Sequence, residues 1–177
     1  MIKKILIGLI LAILVLVLVI AMQPDEFRVE RSATIAAPPS VVFSKVNDLR
    51  EFQKWSPWAK MDPAAKITYA GPATGVGSSF SWVGPKTGEG TMALSESKPD
   101  EFLKFQLLFR KPFESSSTAD FTFKPDGAKG TVVTWGMSGT SNFVFKAMGL
   151  FMSTDKMFGE NFERGLADLK ALSEAKP

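Results

Sequence analysis

Residues 29–58, "VERSATIAAPPSVVFSKVNDLREFQKWSPW", carry the reading that decides the fold. Val29, Ala33 and Ile35 alternate with Glu30, Ser32 and Thr34, which is the pattern of a strand with one wet face. Phe27 and Arg28 extend the alternation backwards, and Arg31 shares the parity of the apolar side. Pro38 and Pro39 close the strand, and the fixed φ of Pro39 suits the first position of a helix. Val42, Phe43 and Val46 then follow at helical spacing. Asp48, with Glu51 three residues on, signals the start of a second short helix, which Pro57 should end. Trp55 and Trp58 flank that proline, two large rings in a segment that cannot be helical throughout.

From Ala65 to Gly139 the pattern changes to short strands separated by turn residues. "KITYA" stops at Gly71–Pro72, "SSFSWV" at Gly84–Pro85, and "GEGTMALSES" at Lys98–Pro99–Asp100. "EFLKFQLLF" stops at Lys111–Pro112, "SSTADFTFK" at Pro125–Asp126–Gly127, and "GTVVTWGMSG" at Gly139. Six strands with no helix between them predict an antiparallel meander. Along these strands one parity holds Phe80, Trp82, Met92, Leu94, Phe105, Leu107 and Phe109, and then Phe121, Phe123, Trp135 and Met137. The other parity holds Ser81, Lys104, Gln106, Asp120, Thr122 and Lys124, which suits water. The final segment, residues 142–175, reads as one long amphipathic helix with a break at Gly149 or Gly159. Its stripe is Phe151, Asp155, Phe158, Phe162, Leu166, Leu169 and Leu172. The fold class is therefore α+β: a curved antiparallel sheet of about seven strands covered by a long C-terminal helix.

Residues 5–22 form an uncharged apolar run of 18 residues. At about 1.5 Å per residue its helix reaches roughly 27 Å, close to the thickness of a bilayer core. The run exceeds a usual signal-peptide core, and "VIAMQPDEF" offers no small-residue cleavage site. The reading is an uncleaved transmembrane anchor over residues 1–24 and one folded domain over 25–177. Lys3 and Lys4 place the N-terminus in the cytoplasm by the positive-inside rule. The domain is then expected on the extracytoplasmic, periplasmic side of a single-pass inner-membrane protein.

Composition excludes much chemistry. The 177 residues contain no Cys and no His. Disulfides, thiolate nucleophiles, Ser-His and Cys-His triads and imidazole metal ligands are absent with them. Neither a metal nor a cofactor is expected. Of the 21 basic residues two belong to the anchor, and 18 acidic residues nearly balance the rest. No basic run is present, so nucleic acid is not an expected partner. Three S-x-x-K spacings and Lys86-Thr87-Gly88 echo penicillin-binding enzymes, but S-D-N is missing and the order is reversed.

The order of elements resembles the START-like helix-grip fold, and within it the polyketide cyclase/dehydrase-type branch of the SRPBCC superfamily. The stretch quoted above is similar to that family's first strand, its I-x-A-P turn, its helix pair and its Trp-Pro loop. "GVGSSFSW", "GEGTMAL", "GTVVTWGMSG" and "FERGLADLKALSE" are similar to later strands and the closing helix. The resemblance covers nearly all of the chain after the anchor, and the anchor is an addition to the family pattern. It implies a hydrophobic cavity between sheet and C-terminal helix, with Trp55 and Trp58 near its mouth.

Inward parity and the family cavity together suggest a binding site for an apolar small molecule: a lipid, quinone or polyketide-like compound. Its lining is expected from Trp55, Trp58, Phe80, Trp82, Met92, Phe105, Leu107, Phe109, Phe121, Phe123, Trp135, Met137 and Phe158. Within that set Trp82, Phe105, Phe109, Phe121, Trp135 and Phe158 are expected to surround one connected cavity. A cyclase or dehydratase would also need a proton carrier inside, and the candidates are Glu89, Tyr69 and Asp155. No pair of these is spaced in a way that demands catalysis. A third alternative is an interaction module without a ligand, which would show a filled interior and exposed Trp55 and Trp58. The aromatic face could also be ordinary core, and a close-packed interior would count against both ligand readings.

Overall fold

A computed structural model describes residues 2–127, 129–150 and 154–175. Helix α1 (Ile2–Ala21) leads into strand β1 (Glu26–Ile35) and three short helices, α2 (Pro39–Asn47), α3 (Leu49–Trp55) and α4 (Pro57–Met61). Six strands follow: β2 (Lys66–Ala70), β3 (Ser79–Gly84), β4 (Gly88–Lys98), β5 (Phe102–Lys111), β6 (Ser115–Asp126) and β7 (Gly130–Thr140). Helices α5 (Phe143–Gly149) and α6 (Thr154–Glu174) complete the chain.

The seven strands form one antiparallel sheet in the order β1-β7-β6-β5-β4-β3-β2, so the meander is intact and β1 closes on β7. Trp82 lies opposite Gly90, Gly90 opposite Phe109, and Trp135 opposite Phe121. The expected inward parity holds across the sheet. On the outer face Arg28 reaches over Gly136 to Asp120, with both guanidinium nitrogens within 3.0 Å of the carboxylate. That contact ties β1 to β6 across β7.

Two helical details differ from expectation. Pro57 ends α3 but also opens a third short helix, because a proline at the first helical position lacks only an N–H that would have no partner there. The long C-terminal helix is two helices, and the expected break at Gly149 is the end of α5. Phe151 of the expected stripe lies outside the described residues. The start signal at Asp48 is real: its Oδ1 accepts from the Arg50 N–H at 2.8 Å.

Helix α6 lies on β1 and against α2, α3 and α4. Phe162, Leu166 and Leu169 are its buried face. A Cβ on Gly165 would sit 2.8 Å from the Trp135 ring and 3.1 Å from Pro57, so only glycine lets α6 approach this closely. Helix α1 stands outside this assembly, with Ile20 its only buried residue among those described.

Candidate functional site

The concave face of the sheet has two unlike ends. The end that receives α1 holds the start of β1, the β3–β4 and β5–β6 hairpins and the exit of β7. The far end holds the β2–β3, β4–β5 and β6–β7 turns together with α2.

Towards the far end the inward side chains are closed in. Helix α3 inserts Phe52 and Trp55 between sheet and α6, with ring centroids 4.5 Å apart. Phe52 meets Phe105 and Phe121, and Trp55 meets Trp135 edge-on at 5.5 Å. Trp135 stacks between Phe121 and Phe162, at 5.0 Å and 4.2 Å. Phe105, Phe121 and Phe162 retain no exposure and Trp55 only 1%. Phe43 covers Phe123 in the same way.

Towards α1 the cover thins. Trp82, Leu107, Phe109, Phe158 and Phe27 are only partly buried. Trp82 lies over Gly90, whose absent Cβ would fall 2.3 Å from the ring, and meets Phe109 edge-on at 5.6 Å. Its Nε1 donates to the Thr87 carbonyl at 3.2 Å, which fixes the ring on the β3–β4 hairpin. Phe27, Phe145 and Phe158 form a stacked trio with centroids 5.5–6.2 Å apart. The inward positions of β4, β6 and β7 here are small, Gly90, Ser117 and Gly139, and the Trp82 and Phe27 rings lie against the two glycines.

The six rings expected around one cavity therefore divide. Phe105, Phe121 and Trp135 are packed into a core, whereas Trp82, Phe109 and Phe158 keep open faces. The physical reason is the volume that α3 puts between sheet and helix. Two concavities of the described residues are lined largely by polar groups. One of about 350 Å³ lies where β1, β6 and β7 meet at the α1 end, among Glu26, Gln106, Ser116, Thr118, Ser138 and Thr140 and beside Phe27, Ser117 and Gly139. The other, of about 110 Å³, adjoins Arg50 and Tyr69. Phe80, Met92 and Met137 are buried, and Leu107 borders the open end.

Trp55 is not at a mouth. Its Nε1 donates to the Lys45 carbonyl at 3.0 Å inside the core. Trp58 is partly buried against Trp135 and Phe162.

The three acid/base candidates stand apart. Glu89 is on the outer face of β4, beside Lys111 at 2.5 Å. Tyr69 packs against Phe80 with the Arg50 guanidinium 4.3 Å above its ring, and burial pushes its phenol up while Arg50 pulls it down. Asp155, expected with the apolar stripe, turns outwards instead, and both its oxygens accept from Arg31 at 2.8 Å. Arg31 also donates to Glu163 at 2.7 Å and lies against Gly159. Its hydrogen bonds hold the Asp155 carboxyl below the ordinary range. The inward parity of Arg31 was thus a signal for a clamp on α6.

Asp62 had no signal. It is buried, and its Oδ2 accepts from the N–H groups of Lys86 and Thr87 at 2.8 Å and from the Thr87 hydroxyl at 3.0 Å. Burial disfavours its charge, but these donors outweigh that and hold its carboxyl below the ordinary range. The β3–β4 hairpin that carries Trp82 is fastened to the end of α4 by this contact.

A family model described as polyketide cyclase/dehydrase and lipid transport matches residues 26–174. No curated protein matches the chain significantly. Among solved structures, a protein from Thermobifida fusca is similar at 19% identity and TM-score 0.62, over 82% of this chain and 92% of that one. One from Mesorhizobium loti is 19% identical with TM-score 0.59, over 84% and 100%. One from Chromobacterium violaceum is 16% identical with TM-score 0.57, over 87% and 100%. These likenesses are likenesses of fold.

Proposed function

The chain belongs to the polyketide cyclase/dehydrase and lipid transport family, and from that membership we propose that it is a membrane-tethered binding module for an apolar small molecule. The ligand would rest at the α1 end of the concave face, against Trp82, Leu107, Phe109 and Phe158. The observation that carries this reading is the loss of cover along one continuous aromatic face, from no exposure at Phe105 and Phe121 to partly open rings at Trp82 and Phe109. A surface of rings and methylenes over small residues suits a lipid, a quinone or a polyketide-like chain.

The tether is α1, 20 residues from Ile2 to Ala21, long and apolar enough to cross a membrane. Lys3 and Lys4 favour a cytoplasmic N-terminus, which puts the domain on the extracytoplasmic side of the inner membrane. Protease added to spheroplasts should then remove the domain; full protection would reverse the orientation.

The filled interior around Phe105, Phe121 and Phe162 fits an interaction module as well, but neither alternative has its remaining marks. A cyclase or dehydratase reading would gather Glu89, Tyr69 and Asp155, which are held by three different partners, Lys111, Arg50 and Arg31. An interaction module would expose Trp55, which is buried.

Native mass spectrometry of the full chain, released from its own membranes, tests the proposal. The expected spectrum contains an apolar adduct that is lost in Phe109→Ser and kept in Tyr69→Phe. The bare polypeptide alone, in repeated preparations, would overturn it.

A further inference from the structure

Helix α5 has three sides. Asn142 caps it, its Oδ1 accepting from the Phe145 N–H at 2.8 Å. Phe145 turns inwards onto Phe27 and Phe158, and so seals one wall of the open end. Lys146 turns towards the anchor: its Nζ donates to the Ala21 carbonyl at 3.5 Å and pairs with Asp25. A carbonyl in the last turn of a helix has no partner within that helix, so this contact attaches α5 to the end of α1. The third side is apolar and uncovered, with Phe143, Val144 and Met148 exposed to 52%, 41% and 45%.

From this juxtaposition we propose that α5 lies in the interfacial layer of the same bilayer that α1 spans, with Phe143, Val144 and Met148 as its lipid-facing side. The proposal rests on the tethered reading and sharpens it. Ala21 is the last residue of the span and therefore marks the level of the headgroups. A helix joined to that carbonyl by a single lysine cannot stand far from it. Apolar side chains of an interfacial helix sit roughly 5–10 Å into the boundary between headgroups and acyl chains. Phe113, at the tip of the β5–β6 hairpin, lies at the same end of the sheet, is 54% exposed and follows Arg110 and Lys111. With α5 at that depth, Trp82, Phe109 and Phe158 open towards lipid, and an apolar ligand passes between bilayer and protein without crossing water.

The chain has no cysteine, so a single introduced one is labelled uniquely. The test uses the full chain in dioleoylphosphatidylcholine vesicles, with and without lipids brominated on their acyl chains. A bimane label is placed in turn at Leu14→Cys, Val144→Cys, Met148→Cys and Lys124→Cys. The Leu14 label should be strongly quenched by bromine and the far-end Lys124 label not at all. The Val144 and Met148 labels should lose about half as much intensity as Leu14, as expected for an interfacial depth. If Leu14 is quenched while Val144 and Met148 behave like Lys124, the interfacial helix is overturned and the tether stands. If Leu14 also escapes quenching, the tether fails and the interfacial helix fails with it.

Discussion

At the far end of the sheet, the inward aromatic residues meet two rings from α3 and the buried face of α6. At the end where α1 enters, residues of the same parity on the same strands meet, among the described residues, a hairpin, α5, Phe158 of α6 and one another. Phe105 and Phe109 make the contrast within a single strand: they are four residues apart on β5, the first fully buried and the second partly open. Alternation along a strand sets which face a residue joins. What stands above that face decides whether the residue becomes core or remains available to a ligand. Helix α3 supplies that cover at one end, and Gly90, Ser117 and Gly139 withhold side-chain bulk at the other.

The largest effect should come from cutting one ring at each end. Phe121→Ala leaves a hole in a closed stack and should cost about 3–5 kcal/mol of stability. Phe109→Ala removes a ring that water already reaches in part, and should cost roughly 1–2 kcal/mol. Urea unfolding of the full chain in detergent micelles measures both. Equal losses would break the distinction between a core end and a binding end.

A sharper contrast lies between two buried indoles. Trp55 donates its N–H to the Lys45 carbonyl, whereas the Trp135 Nε1 is buried with no acceptor among the described residues. Trp55→Phe deletes a hydrogen bond and strands a carbonyl, a loss of about 1–2 kcal/mol beyond the change in volume. Trp135→Phe deletes a donor that had nothing to donate to, and it keeps an aromatic ring between Phe121 and Phe162. Its cost beyond the change in volume should be under about 1 kcal/mol. The same unfolding experiment ranks the two, and the reverse order would mean that the Trp135 N–H has a partner in solution.

The strands, the meander from β2 to β7 and the inward faces were legible because period-two alternation and turn residues are local signals. The closure of β1 on β7 is a long-range pairing that such signals do not carry. Helix α4 was not, because Pro57 is equally a stop and a start, and local sequence does not say which. The filled interior escaped for a different reason. Parity assigns Phe121 and Trp135 to the inside, but the volume left there depends on how far α3 pushes Phe52 and Trp55, which is a tertiary quantity. Asp155 fell on the helical stripe by spacing, yet its partner Arg31 sits 124 residues away. Asp62 finds its donors 24 and 25 residues downstream, at the turn of a hairpin it does not belong to. Of the candidate site, the inward aromatic face was readable and its division into closed and open parts was not.

The smallest expected effect concerns the clamp that holds the start of α6 beside the open end. Arg31 lowers the pKa of Asp155 in the folded chain, chiefly through their hydrogen bonds. A carboxyl depressed in the folded state stabilises the fold fully above its unfolded value, near 4, and loses that contribution as pH falls through the folded value. Asp155→Asn should therefore melt slightly below the parent chain at pH 7, and the gap should close as both are taken below about pH 4. The gap should be small, because the pair is exposed and Glu163 still holds Arg31. Asp155 also stands in the first turn of α6, where a negative charge favours the helix without any partner. Protonation would remove either benefit, so pH alone does not separate them. Arg31→Gln does: in that background Asp155→Asn should shift the melting temperature less than it does in the parent. An undiminished shift would assign the effect to the helix terminus and leave the open end of the grip without its clamp.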